Sequence, residues 1–256
     1  MKVGIAGAGN MAGAIARGWA AAGDSGPDVM LFCDLDRDRA AELAGEVGGD
    51  TRDRLAELAG EVDVVLLAVK PDALDEVARE LGGGAPALIS VMAATPLARI
   101  ADAFPGVPAI RVMPNQPVEV RRGILCLVVP GTIPEQLKTR LVGLLLPLGR
   151  LVPIEEPLID SAMAIMSCSP AYVAQFAEAL AQAGVREGLD HELALELVAG
   201  TLTGTAELLA VHEPSEIRRR VASPGGATEA GLEALERGGF SAALDAAVEA
   251  SLARFR

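Results

Sequence analysis

Two short stretches of this chain combine residue types whose spacing suits the binding of anions. Near the N-terminus, Lys2-Val3-Gly4-Ile5-Ala6 reads as an apolar strand running into Gly7-Ala8-Gly9-Asn10-Met11-Ala12 and then an Ala-rich helix. A strand, a G-x-G-x-x-A turn and a helix in that order form the fingerprint of a dinucleotide-binding unit. Gly7 permits the tight turn, Gly9 lets the backbone approach a pyrophosphate, and the small Ala12 lets helix and strand pack closely. The anion then rests on the free N–H groups of the helix start, at Asn10, Met11 and Ala12. A Gly-rich turn in an ordinary βα unit is the alternative. The second stretch is Ser223-Pro224-Gly225-Gly226-Ala227-Thr228, between a basic helical segment and a helix beginning near Ala227. Two glycines before a helix allow successive N–H groups to converge on a carboxylate or phosphate, with the Thr228 hydroxyl beside it. On spacing alone the same residues also suit a plain helix-start loop.

Around the first stretch, Leu31-Phe32-Cys33-Asp34 ends a second strand with a carboxylate at the distance expected for the ribose hydroxyls of a dinucleotide. Asp34 therefore favours NADH by repelling a 2′-phosphate, and Asp50 adds to that repulsion if its loop folds nearby. Arg37 and Arg39 point the other way, since either could pair with the phosphate of NADPH, or both could belong to a solvated helical turn. The run Asp63-Val64-Val65-Leu66-Leu67-Ala68-Val69 reads as a strand covered on both faces. It leads into Lys70-Pro71, and ligands of open α/β sheets lie beyond the carboxyl ends of strands.

Bulk properties narrow the field. A net charge of −13 opposes a nucleic-acid surface, and Arg218-Arg219-Arg220 fan around a helix axis as a solvated face. The three cysteines, Cys33, Cys126 and Cys168, are widely spaced in apolar surroundings and read as buried free thiols. With two histidines in 256 residues, no metal site is expected. No run of eighteen apolar residues and no basic leader occur, so the expectation is a cytoplasmic protein outside the membrane and without a signal peptide.

The elements that must position these residues follow from periodicity. Strands are expected near 2 to 6, 28 to 33, 62 to 69, 86 to 90, 109 to 112, 124 to 129 and 149 to 153, alternating with helices. That alternation predicts a doubly wound parallel sheet with helices on both faces. Residues 43 to 61 read as surface helices. After Glu155 the strand signals stop, and about 100 residues read as helix. The chain thus divides into an α/β nucleotide domain, 1–155, and an all-helical domain, 156–256. Pro170 breaks the helical run from 157 to 184. Gly200 and Gly204, one turn apart on the helix from 190 to 212, bare a face for close approach of another helix.

Five motifs, in order, make the sequence resemble the pyrroline-5-carboxylate reductases, which complete proline synthesis by reducing a cyclic imine. They are Gly7-Ala8-Gly9-Asn10-Met11-Ala12, Ala68-Val69-Lys70-Pro71, Arg111-Val112-Met113-Pro114-Asn115-Gln116-Pro117, Ser169-Pro170-Ala171-Tyr172-Val173 and Ser223-Pro224-Gly225-Gly226-Ala227-Thr228. The resemblance implies a Rossmann-type sheet followed by an all-α dimerisation domain, with NADH or NADPH as cofactor. It implies that Gly225, Gly226 and Ala227 offer N–H groups to the substrate carboxylate and that Thr228 hydrogen-bonds the imine nitrogen. It further implies that Ala68, Val69, Lys70 and Pro71, with Met113 and Asn115, line the nicotinamide and its ribose. The helical domain would pair with that of a second chain, in a dimer or an assembly of dimers.

The sequence departs from the family at Met166-Ser167-Cys168, at Ala93-Ala94-Thr95 and at Gln116, all on the expected substrate side. These departures leave open a different imine or a hydroxy acid on the same scaffold, or a nucleotide-binding regulatory protein without turnover. A protonated imine is already electron-poor, so hydride transfer to it requires orientation and a hydrogen-bond partner more than a strong acid. The three lysines, Lys2, Lys70 and Lys138, all precede the helical domain. Related oxidoreductases often place a catalytic lysine on the first long C-terminal helix; this chain has Ser169 and Tyr172 there.

Overall fold

The computed structural model describes residues 1–255. They form two compact units, Met1–Cys168 with Phe255, and Ser169–Arg254.

The first unit is a doubly wound sheet. Its order along the chain is β1 (Lys2–Ala6), α1 (Asn10–Ala20), β2 (Val29–Cys33), α2 (Arg37–Val47), β3 (Asp50–Thr51), α3 (Leu55–Glu61), β4 (Val64–Leu67), α4 (Leu74–Leu81), β5 (Leu88–Ser90), α5 (Leu97–Ala103), β6 (Ala109–Pro114), β7 (Gly123–Val128), α6 (Glu135–Leu145), β8 (Gly149–Pro153) and the short α7 (Ile159–Ala162). The strands lie in the order β3-β2-β1-β4-β5-β6-β7-β8. Because β1 is flanked by β2 and β4, the winding reverses there, and that is where an open α/β sheet leaves a crevice.

Both faces are covered, which explains the unbroken apolar character of Val64-Val65-Leu66-Leu67. Ile5, Phe32, Val64, Leu66, Ile89 and Val112 join a core under α1, α2 and α6. Leu31, Val65, Leu67 and Leu88 face the other way, under Leu58 of α3, Val77 of α4 and Ile100 of α5. Trp19 is 1 % exposed, and its indole N–H donates to Leu144 O at 2.8 Å, tying α1 to α6.

Three expectations from the sequence need correction. The sheet is not wholly parallel: β7 runs antiparallel to β6, with Met113 opposite Cys126. The link between them holds only a 3₁₀ turn, Gln116–Val120, too short for the crossover that a parallel neighbour requires. Residues 43 to 61 hold a strand between the expected helices. Gly48, at φ +74, ends α2, and Asp50–Thr51 pair with Leu31 and Phe32 of β2. The adjoining Gly49 has no room for a side chain, because a Cβ would lie 2.7 Å from the Phe32 ring. Among the thiols, Cys33 and Cys126 are buried, but Cys168 is only half-buried. Burial pushes the Cys33 thiol up to about 11.

At the end of the first unit, α7 continues into a π-helical turn, Met163–Ser167. The second unit begins with α8 (Ser169–Arg186), so Pro170 sits in the first turn of a new helix, where its missing N–H costs nothing. There follow α9 (His191–Leu209), α10 (Pro214–Val221), α11 (Ala227–Arg237) and α12 (Phe240–Phe255). Within this unit α8 and α9 pack through Ala181, Ala194 and Val198, and Tyr172 Oη lies 2.6 Å from Ser251 Oγ. Asp190 caps α9, accepting from the N–H groups of Glu192 and Leu193.

Candidate active site

The parallel strands β1, β2, β4, β5 and β6 deliver their C-terminal ends to one edge of the first unit. Residues 7–12, Asp34, residues 68–71, residues 91–95 and Asn115 therefore all leave the sheet on that edge. Gly7 adopts φ +98, a conformation that disfavours any side chain, and a Cβ there would sit 2.7 Å from Ala68 O. Its N–H donates to Cys33 O at 2.8 Å, so the turn is wedged between the ends of β2 and β4. At Gly9 a Cβ would meet nothing within 4 Å. The chain there is open to an approaching ligand. Gly9 is also the N-cap of α1 and supplies no side-chain cap, which leaves the Asn10, Met11 and Ala12 N–H groups for an anion. Uncapped donors beneath an open space fit the diphosphate of a dinucleotide.

Asp34 is held by three hydrogen bonds. Its Oδ2 accepts the Ala8 N–H at 2.6 Å, and its Oδ1 accepts the Asp36 N–H at 2.8 Å and Arg39 Nη2 at 3.0 Å. Partial burial raises the carboxyl's pKa, but these three bonds outweigh it and hold the group below the usual carboxylate range. Of the two arginines in play, Arg39 stands beside Asp34, whereas Arg37 extends to Asp53 at 3.2 Å and is largely exposed. Asp50 is paired with Arg52 at 2.7 Å, and Arg52 also holds Glu61. Lys70 is exposed on the edge, just before the 3₁₀ turn Pro71–Ala73.

Asn115 is a brace. Its Nδ2 donates to Met166 O at 3.1 Å and its Oδ1 accepts the Ile124 N–H at 2.9 Å, joining the end of β6 to β7 and to the π-helical turn. Ser167 adds a bond to Pro114 O. Of the family departures, Met166 and Ser167 thus lie on this brace, and Gln116 turns to Glu119 at 2.8 Å. Ala94 takes φ +50, a left-handed conformation rare for a residue with a Cβ.

A buried ion pair went unassigned in the sequence. Arg111, 3 % exposed, donates to Glu156 Oε1 at 2.5 Å, and the same oxygen accepts the Leu97 N–H at the start of α5. Among the described residues the Arg111 Nε and Nη2 atoms have no partner.

In the second unit, the loop 223–228 opens α11. Gly225 adopts φ +71, and α11 has no side-chain cap at Gly226. Ala227 and Thr228 are exposed, and among the described residues the Thr228 hydroxyl has no hydrogen-bond partner. The Gly226 N–H turns back to Ser223 O at 2.9 Å, and the Gly225 N–H meets Glu229 Oε2 at 2.6 Å. Sequence reading missed Glu229. The signal was an acid at the third position of a helix, where it reaches back to N–H groups around the cap.

A family profile described as pyrroline-5-carboxylate reductase dimerisation matches residues 156–256, and one described as NADP oxidoreductase, coenzyme F420-dependent, matches residues 2–94. A pyrroline-5-carboxylate reductase of Aquifex aeolicus is 34 % identical over 243 residues, covering 94 % of this chain and 91 % of the relative. The chain belongs to the pyrroline-5-carboxylate reductase family. A member from Synechocystis sp. is 41 % identical over 197 residues, 75 % of this chain and 73 % of its own. The crystal structure of a Plasmodium falciparum pyrroline carboxylate reductase with NADP bound superposes with a TM-score of 0.88 at 27 % identity, covering 100 % of this chain and 97 % of the other. This fold, a Rossmann-type sheet followed by a helical dimerisation domain, is thus that of the pyrroline-5-carboxylate reductases.

Proposed function

We propose that the protein reduces the C=N bond of pyrroline-5-carboxylate to give proline, with NADH or NADPH as the reductant. The observation that carries the reading is the loop 223–228, which opens α11 on two glycines and leaves the Thr228 hydroxyl exposed and, among the described residues, unpartnered, in a chain of this family. Gly225, Gly226 and Ala227 receive the substrate carboxylate, and Thr228 hydrogen-bonds the imine nitrogen.

Residues 1–155 act as the nucleotide domain. Gly7, Gly9, Asn10, Met11 and Ala12 hold the diphosphate on the open start of α1. Asp34 faces the adenosine ribose, and Ala68, Val69, Lys70, Pro71, Met113 and Asn115 border the nicotinamide and its ribose. A bound reduced nicotinamide supplies the hydride that adds to the imine carbon. The protein's own task is alignment: holding the carboxylate fixes the ring, and Thr228 fixes the nitrogen, so the reacting atoms meet in an attack geometry. No protein acid stronger than a hydroxyl is required, because the iminium is already protonated.

Residues 156–256 act as substrate and dimerisation domain, in a homodimer or an assembly of dimers. Exposed Val173, Leu180, Leu197, Leu208 and Leu209 on α8 and α9 support this, as does the open space beside Gly200 and Gly204. Light scattering giving a monomer mass at working concentration would remove the dimer. No described helix is long and apolar enough to cross a membrane. We assign the protein to the cytoplasm, and its net charge of −13 supports a reading without a nucleic-acid partner.

The deciding experiment mixes the chain with pyrroline-5-carboxylate and reduced cofactor and follows cofactor absorbance. Turnover is expected. Nucleotide binding without oxidation, across this and related imines, would turn the protein into a non-catalytic binder.

A further inference from the structure

Glu229 sits on the loop assigned to the substrate carboxylate. Its Oε2 accepts the Gly225 N–H at 2.6 Å, from the third position of α11. No Lys, Arg or His pairs with Glu229 among the described residues, so its charge is met by the loop and the helix start rather than by a cation. The Gly226 N–H is also committed, to Ser223 O. Of the three donors assigned to the substrate, Ala227 alone has neither of these attachments. The loop is therefore a working carboxylate receptor, and the carboxylate in it belongs to the chain.

We propose that Glu229 is a specificity-determining residue: an internal competitor that a substrate carboxylate must displace to gain the Gly225 N–H. The proposal rests on the assignment of loop 223–228 to the substrate. Displacement exchanges one charge-assisted hydrogen bond for another, so the net gain from the incoming carboxylate is smaller than on an empty loop. The displaced side chain also remains nearby as a like charge. Both effects act on the substrate carboxylate, so they weaken binding of carboxylated rings and are absent for a ring without one. Glu229 thus sets how strongly the enzyme holds its substrate and its product acid.

The test compares wild type with E229A and E229Q on two substrates, pyrroline-5-carboxylate and 1-pyrroline, which has the same ring without the carboxylate. In E229A the KM for pyrroline-5-carboxylate should fall about three- to tenfold, the scale of one displaced hydrogen bond at an exposed site. Inhibition by proline should strengthen in parallel. E229Q, which keeps an acceptor but no charge, should fall between. The KM values for 1-pyrroline and for the reduced cofactor should stay where they are. A role confined to starting α11 would lower the thermal midpoint and shift both imines alike. An unchanged or raised KM for pyrroline-5-carboxylate, in an enzyme whose wild type turns it over, overturns the proposal. Absence of wild-type turnover overturns the substrate assignment, and the proposal falls with it.

Discussion

The Ala8 N–H donates to Asp34 Oδ2 at 2.6 Å, so the carboxylate that ends β2 helps to hold the glycine turn that ends β1. Asp34 is consequently part of the turn's scaffold, in addition to the ribose contact proposed for it. Its remaining oxygen is shared between the Asp36 N–H and Arg39.

This arrangement has a pH signature. The folded-state pKa of Asp34 is depressed, so its stabilisation is present above the unfolded value of about 4 and is lost as pH falls through the lower folded value. Asp34→Asn should lower the denaturation midpoint at pH 7, and the gap to wild type should close below pH 4. Denaturant titrations across that range measure it, and a gap independent of pH would contradict it.

Arg39 is half-exposed and 3.0 Å from Asp34, so with the adenosine ribose where it is proposed, Arg39 is the arginine nearer a 2′-phosphate. Arg39→Ala should lower kcat/KM for NADPH about tenfold while changing that for NADH less than twofold, the scale of one charge-assisted bond at a partly solvated site. Arg37→Ala should leave the ratio of the two unchanged. Steady-state comparison of the two cofactors decides between them.

Gly7 and Gly9 should fail differently when given a side chain. Gly7→Ala puts a Cβ 2.7 Å from Ala68 O at φ +98, and should cost about 2 kcal/mol or more of stability. Gly9→Ala meets nothing within 4 Å, so its melting temperature should match wild type while nucleotide affinity drops. Calorimetry paired with a nucleotide titration separates the two. Equal effects on both readouts would refute the distinction.

Thr228→Ala should lower kcat by about 10² to 10³, the usual loss for one hydrogen bond aimed at a reacting centre. Cofactor affinity should not change. An unaltered turnover number would remove Thr228 from the mechanism.

Breaking the Arg111–Glu156 pair should be asymmetric. Glu156→Ala leaves a guanidinium 3 % exposed and unpaired, at a cost of about 3 kcal/mol or more. Arg111→Met leaves a carboxylate that is 29 % exposed and can turn to water, so the loss should be about 1 to 2 kcal/mol. Chemical denaturation of both variants checks the order.

Much of this molecule is local, and local features are legible. The turn at Gly7 and Gly9, the apolar β4 and the helices after Glu155 each follow from a few adjacent residues, whose steric limits or periodicity allow little else. Strand pairing is not local. Nothing in the apolar runs of β6 and β7 states their relative direction, which depends on the eight residues between them being too few for a crossover. The two residues of β3 carry no period, and β2 supplied the edge that made them a strand.

The same division runs through the site. In the sequence by itself, spacing after the glycines was enough to single out Asp34, and motif order, by resemblance, to single out Asn115 and Gly225. What each does with its hydrogen-bonding groups was decided by tertiary structure: Asp34 by Ala8, 26 residues before it, and Asn115 by Met166, 51 residues on. The bond from Gly225 spans only four residues, yet it too depends on the helix that brings Glu229 back over the loop. A sequence displays donors and acceptors; folding pairs them, because a hydrogen bond needs two groups within about 3 Å.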